Sequence, residues 1–321
     1  MDKRTDATTD AGFTSAAGRA PGAAMLTAYA QLAGSMILTG VNVGVAKTLA
    51  GALPIAMILG LRCLLAVAVL LPLSLWRDGL RPPPRGALLN LFWQALLGTV
   101  LYNAALLLGL RLTTALEGGL MLAAIPAVVA LGAALLLRER LTPRGWAAAL
   151  LAAGGIGAVT LARSGGGGSG GGSLAGNALV LLAVCGEAAY ALLSKRLAGR
   201  MPVLTASLWM QIFSAMLLLP AWLPLAIPWP GAAGVLADPL LAGLLVFHGL
   251  TASVFSLLLW YSGLRRAPAG LAGVFMAFLP ASAAVTAVLF LGEPMTTAHL
   301  AGFALMLASL LLATWPARRR A

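Results

Sequence analysis

Three charged side chains lie inside stretches that are otherwise apolar: Arg62, Glu117 and Glu187. A charge at the centre of a bilayer costs roughly 2.5–3.5 kcal/mol on insertion scales, so such a residue usually holds a substrate, pairs with another charge or passes a proton. At a rise of about 1.5 Å per helical residue, Arg62 falls about nine residues below the outer end of its segment and Glu187 about twelve below the outer end of its own. Both depths are near the midplane of a hydrocarbon core ~30 Å thick. Opposite charges at one depth predict that the two line or brace a central cavity. They would do so as an ion pair opened by substrate or a proton, or as a permanent pair holding two bundles together. Glu117 sits one turn inside the outer end of another segment. There it is either a hydrated rim residue or a mouth carboxylate that draws in cationic substrate or hands off protons.

Uncharged polar residues reach similar depths: Asn42, Gln94, Asn103, Tyr190, Gln211, His248 and Trp260. In lipid they would lack partners, so they are expected to face the interior. His248 is the one histidine deep in a segment; it is a candidate proton relay or a satisfied packing residue. Tyr190 follows Glu187 by three residues and shares its helical face. Lys47 and Lys195 stand at segment ends, where the expected role is a snorkelling anchor. Cys63 and Cys185 read as small apolar packing residues. With His248 and His299 the only histidines, no H-E-x-x-H, no paired aspartates and no Walker A sequence, nothing supports catalysis, a resident metal, a cofactor or ATP hydrolysis.

The elements that carry these residues follow from composition. Hydrophobic residues make up 60% of the 321, charged residues 9%, and the mean hydropathy is +0.95, whereas a soluble domain carries roughly 25% charged residues. Ten apolar segments, near 25–46, 53–76, 87–110, 114–137, 145–162, 175–194, 203–227, 240–264, 268–291 and 297–315, are each suited to span a membrane as a helix. They are Ala/Leu-rich and lack the alternation of a membrane barrel. The expected fold is therefore all-α and integral to the membrane. With the amino terminus inside, 17 of the 21 basic residues fall in inner gaps, 3 in outer gaps, and Arg62 within a span. The positive-inside rule predicts that bias for this span count, with both termini cytoplasmic. Because the charge is dispersed between spans rather than gathered on one face, the net +12 does not indicate nucleic-acid binding.

The chain also repeats itself. Lys47-x-Leu49-Ala50-Gly51-x-x-Pro54 returns as Lys195-x-Leu197-Ala198-Gly199-x-x-Pro202. Gly109-Leu110-Arg111, Pro126 and Glu139 return as Gly263-Leu264-Arg265, Pro280 and Glu293, at an offset of 154. Five spans per copy force the second copy to cross the membrane in the opposite sense, the pattern of secondary transporters whose substrate path lies between the halves. The division expected is a disordered cytoplasmic tail (1–24), a first five-helix repeat (25–162), a Gly/Ser linker (163–174), a second repeat (175–315) and a basic cytoplasmic tail (316–321). The polar start lacks the apolar core of a secretory signal. Gly167-Gly168-Ser169-Gly170-Gly171 matches a hydrolase elbow by letter only, since no α/β unit surrounds it. Pro126 and Pro280, near the middle of their spans, predict paired kinks or tolerated ones. Gly40-x-x-x-Gly44 permits close helix packing.

Taken in order, these residues resemble the drug/metabolite transporter superfamily, and within it the EamA-type ten-helix proteins. Gly40-x-Asn42 followed by Lys47 is similar to the family's W-G-x-N-x4-K, with Thr39 where tryptophan is usual. Arg62 looks like the family's second-span arginine. Gly109-Leu110-Arg111, Pro126 and Leu137-Arg138-Glu139-Arg140-Leu141-Thr142 resemble its A-L-x-x-T, central proline and L-G-E-R-L-T, with Arg138 replacing the glycine that Leu291-Gly292-Glu293-Pro294 keeps. The resemblance covers about residues 25–315. It implies a multi-pass protein of the inner membrane that moves small metabolites, often amino acids or related compounds, outward. The expectation is alternating access by a secondary active transporter whose partners are a small-molecule substrate and membrane lipid. Proton-coupled export is favoured over facilitated exchange, and a non-transporting scaffold is the remaining alternative.

Overall fold

The structure, a computed structural model, describes residues 23–79, 82–137, 143–161, 173–197, 201–226, 238–264 and 275–314. The two tails, the glycine tether, Glu139 and Arg265 lie outside the described residues, as does the side chain of Lys195. The described elements are helices, with no strand among them. We number them α1 (Ala23–Ala52), α2 (Ile55–Asp78), α3 (85–112), α4 (Ala115–Leu122), α5 (Ile125–Leu137), α6 (Pro143–Leu161), α7 (Leu174–Leu197), α8 (Val203–Ala226), α9 (239–264), α10 (Phe278–Leu291) and α11 (Thr297–Thr314). Helix fills most of the described part of each predicted segment. Among the described residues, six helices are long and apolar enough to cross a membrane, or seven when α4 and α5 count as one bent span; α10 and α11 contribute shorter apolar stretches.

Helix ends are set by local chemistry. The Thr114 hydroxyl accepts the Glu117 N–H at 3.0 Å and starts α4. Asp238 starts α9 by accepting from the N–H groups of Leu240 and Leu241, with Pro239 first in the helix, where no N–H is needed. Gly79 and Gly292 close α2 and α10 at φ of 70° and 66°, a left-handed conformation that glycine adopts without steric cost. Pro126 and Pro280 do not kink the middle of a helix. Each lies in the first turn of a new one, after turns at Ala123–Ala124 and Met276–Ala277. A prolyl ring clashes with the carbonyl four residues earlier, so the chain breaks upstream and proline takes a first-turn place it tolerates. The α4–α5 break bends by 44°.

Two helices carry wider π-turns, Ala95–Leu101 in α3 and Thr251–Phe255 in α9. The 154-residue offset carries the first segment onto the second. Such turns are uncommon and collect at functional sites. The first lies against α7, where a Cβ on Gly98 would come 2.5 Å from Tyr190 Cβ and one on Gly186 would come 2.8 Å from the Leu97 carbonyl.

In the packing, α1 lies against α9 and α10, α7 against α3 and α4–α5, α2 against α8 and α9, α8 against α3, and α6 against α11. Exchanging the helices of residues 23–161 for those of residues 174–314 maps these pairings onto one another. The Gly40-x-x-x-Gly44 step is where α1 meets α10. A Cβ on Gly40 would come within 2.3 Å of the Leu279 carbonyl, and one on Gly44 within 2.5 Å of Thr286 Cγ2. The main apolar core, including Leu49, Ile58, Leu107, Leu110, Leu116 and Ala283, draws on both halves.

Candidate functional site

A cavity of about 90 Å³ lies among α1, α2, α3 and α9, lined by Thr39, Asn42, Arg62, Tyr102, Asn103 and His248 together with apolar side chains. Its polar residues sit about 10–20 Å from the nearer helix end at ~1.5 Å per residue. Arg62 is 5% exposed. Its Nη1 donates to Asn103 Oδ1 at 3.0 Å, and Asn103 Nδ2 donates to the Thr99 carbonyl at 2.7 Å at the edge of the π-turn. Arg62 Nε is buried without a partner.

Across the cavity, Asn42 Nδ2 donates to the Leu38 carbonyl and to Thr251 Oγ1, each at 2.8 Å. Those two acceptors fix the amide's orientation, so its Oδ1 faces His248 Nδ1 at 2.8 Å and accepts from it. His248 Nε2 is then the acceptor of the neutral ring. Thr251 passes its own proton to the Phe247 carbonyl at 2.6 Å. Asn42, from the first half, and His248 with Thr251, from the second, thus form one buried network.

Arg62 and Glu187 are not paired, which corrects the ion-pair expectation. Among the described residues no carboxylate comes within ion-pair distance of Arg62. Tyr102 forms part of the cavity wall with Arg62, while Glu187 and Tyr190 share α7, three residues apart. Tyr190 and Gln94 line a second cavity of about 180 Å³ with Ser194, Ser207 and Tyr261, displaced toward the far end of the bundle from Glu117. There Ser194 Oγ donates to Gln94 Oε1 at 2.9 Å. Gln211 is 4% exposed and its Oε1 is unpartnered, but it lines neither cavity. Trp260 does not line one either: it packs with Tyr29 and Phe275 on Ala28 and Leu32. Trp260→Phe shrinks a ring that lines neither cavity, so it should cost some stability while leaving substrate flux in reconstituted vesicles within about twofold of the parent.

The end of the bundle that carries Glu117 is tied together by polar contacts between helix ends. Glu293 Oε1 and Oε2 accept the N–H groups of Ala115 and Leu116, both at 2.7 Å, so an acid from α10's end caps the start of α4. Lys47 does not snorkel. Its ammonium donates to the carbonyls of Leu110 and Thr113 (2.6 Å for Thr113), filling the open C-terminal end of α3. Arg111 reaches back to the Ala50 and Leu53 carbonyls at 2.6 Å each. Glu117 is 1% exposed rather than hydrated; Thr113 Oγ1 lies 2.8 Å from its carboxylate and 2.6 Å from Asn177 Oδ1, and His299 is 3.9 Å away.

Of the residues singled out by sequence, Arg62, Asn42, Asn103 and His248 come together. Tyr102 and Thr251 were missed, though each is a polar residue at membrane depth. Glu293 had shown itself only as one half of a repeated motif.

The sequence model of the EamA-like transporter family matches this chain twice, over residues 26–161 and 174–315. The chain belongs to that family. A Bacillus subtilis (strain 168) protein named uncharacterized transporter YetK is 31% identical over 278 residues, which cover 86% of this chain and 83% of YetK. One solved crystal structure aligns over 92% of this chain and 97% of its own, with a TM-score of 0.61 at 20% identity, a likeness of fold alone. An EamA-like transporter is a multi-pass membrane protein, and the buried polar cavity is where its cargo chemistry is to be sought.

Proposed function

We propose that this EamA-like transporter is a ten-span secondary transporter whose five-helix halves cross the inner membrane in opposite senses, with substrate bound in the Arg62 cavity. The observation that carries this reading is one buried cavity lined by the Arg62–Asn103 pair and by the Asn42–His248 pair, which together draw on both halves. The double family match, the packing that maps onto itself when the halves are exchanged and the matched breaks before Pro126 and Pro280 support the inverted repeat. The bias of basic residues supports cytoplasmic termini, with the Glu293–Glu117 end outward. In that orientation the closed end faces out and the Gln94–Tyr190 cavity faces in, as in one state of an alternating-access cycle. The cargo is a small metabolite such as an amino acid, moved outward and driven by protons.

The test is purified protein in proteoliposomes offered a metabolite panel, with and without an imposed pH gradient. Flux that rises several-fold with the gradient is expected. Flux indifferent to the gradient would indicate a facilitative exchanger, and absence of flux for every compound would indicate a scaffold.

A further inference from the structure

We propose that Arg62 is the anion-recognition residue of the central cavity and that the cargo presents a single carboxylate to it. This rests on the transporter reading above and names the class of substrate. The reasoning begins with charge. Arg62 carries a cationic guanidinium, and it is nine-tenths buried or more. A buried charge requires a counter-charge, yet no carboxylate among the described residues lies within ion-pair distance of Arg62. Five carboxylates fall among the described residues, and four are engaged elsewhere. Asp78 accepts from the backbone and hydroxyl of Thr205 at the start of α8, Asp238 starts α9, Glu293 caps α4, and Glu117 is bound into the Thr113 cluster. The fifth, Glu187, is outside ion-pair distance of Arg62.

Geometry then narrows the partner. Asn103 holds Nη1, and Asn103 is itself held by Thr99. The guanidinium is therefore oriented from one side, with the unpartnered Nε on another edge. A guanidinium takes a planar two-oxygen anion through parallel N–H···O bonds, and Arg62 is the basic side chain among the residues that line the cavity. The cavity offers about 90 Å³, several times the roughly 10–15 Å³ one water requires, so a carboxylate and its first substituents fit. His248 and Asn42 line the opposite wall as neutral groups. They add no second cation, so the site favours one negative group over a dianion and disfavours a lipophilic cation at this end.

The experiment uses the full-length protein and matched compounds, each α-amino or α-hydroxy monocarboxylate beside its primary amide. Both proteoliposome flux and thermal stabilisation in detergent are read. In the parent protein the acid should outperform its amide by about ten- to a hundredfold, the range for a hydrogen-bonded charge. Arg62→Gln should erase that preference. Asn103→Asp guards against a merely misfolded Arg62→Gln, because it brings a carboxylate to Arg62 from within. It should raise the melting temperature and abolish stabilisation by added acid. Equal response to acid and amide in the parent, or an acid preference that survives Arg62→Gln, would overturn the proposal. Should no compound cross the membrane while acids still stabilise the parent but not Asn103→Asp, the anion site stands and the transporter reading falls. Stabilisation by chloride equal to that by monocarboxylates would also overturn it.

Discussion

Glu293→Gln should open the end of the bundle that the parent holds shut. The glutamate accepts two backbone N–H groups at the start of α4, one on each oxygen. Glutamine retains one acceptor and turns an N–H toward the other donor, so one bond is lost and a repulsion takes its place. Hydrogen bonds to charged groups contribute about 1.5–3 kcal/mol, and every 1.4 kcal/mol shifts a two-state equilibrium about tenfold. On the orientation proposed above, the population with this outward-facing end open should therefore rise by about ten- to a hundredfold. A cysteine in place of Ala46, which lines the central cavity, reports the change once Cys63 and Cys185 are replaced by alanine. Its labelling by a membrane-impermeant maleimide from outside should accelerate by that factor in Glu293→Gln. An unchanged rate would mean that Glu293 has only a helix-capping role.

The second large effect is expected from a single methyl group. In Gly40→Ala the new Cβ would lie 2.0 Å from Ser282 Oγ, 2.3 Å from the Leu279 carbonyl and 2.9 Å from the Ala283 nitrogen. The serine rotamer can move, but the backbone atoms cannot without pushing α1 off α10. Overpacking of this kind costs roughly 1–3 kcal/mol and occasionally more, and contact with backbone puts Gly40→Ala at the upper end. Gly51→Ala in the same helix is the control, since a Cβ there meets nothing within 4 Å. Heating the detergent-solubilised protein and following its monodisperse fraction should show Gly40→Ala aggregating well below the parent, and Gly51→Ala no lower than the parent. Equal melting of the two variants would refute the close approach of α1 and α10.

The helices were legible because hydropathy and chain length leave few other ways to satisfy the backbone in lipid. The depth of a polar residue was legible too, since it is a matter of counting along a helix. That is why Arg62, Asn42, Asn103 and His248 could be named in advance. Partnership was not legible. Arg62 and Glu187 share a depth but not a contact, because depth fixes one coordinate and packing sets the other two. Lys47 misled for a related reason: its place at a helix end suggested water, whereas the open carbonyls of α3 were nearer. The roles of Pro126 and Pro280 were half visible, as prolines predict a disruption but not on which side the chain breaks. The π-turns left no sequence signal beyond Gly98 and Gly249, whose neighbours on other helices are close enough to crowd a side chain.

The π-turn in α3 bears on how the cavity is assembled. One additional residue in a turn advances everything beyond it by about 100° around the helix axis, since an α-helix completes a turn in 3.6 residues. Asn103 begins just past that insertion. Were α3 to regain a regular screw, Asn103 would sweep by that angle off the guanidinium it now steers. The cavity's alignment is thus wound into the backbone as a phase, and a slip of one residue would be enough to unset it.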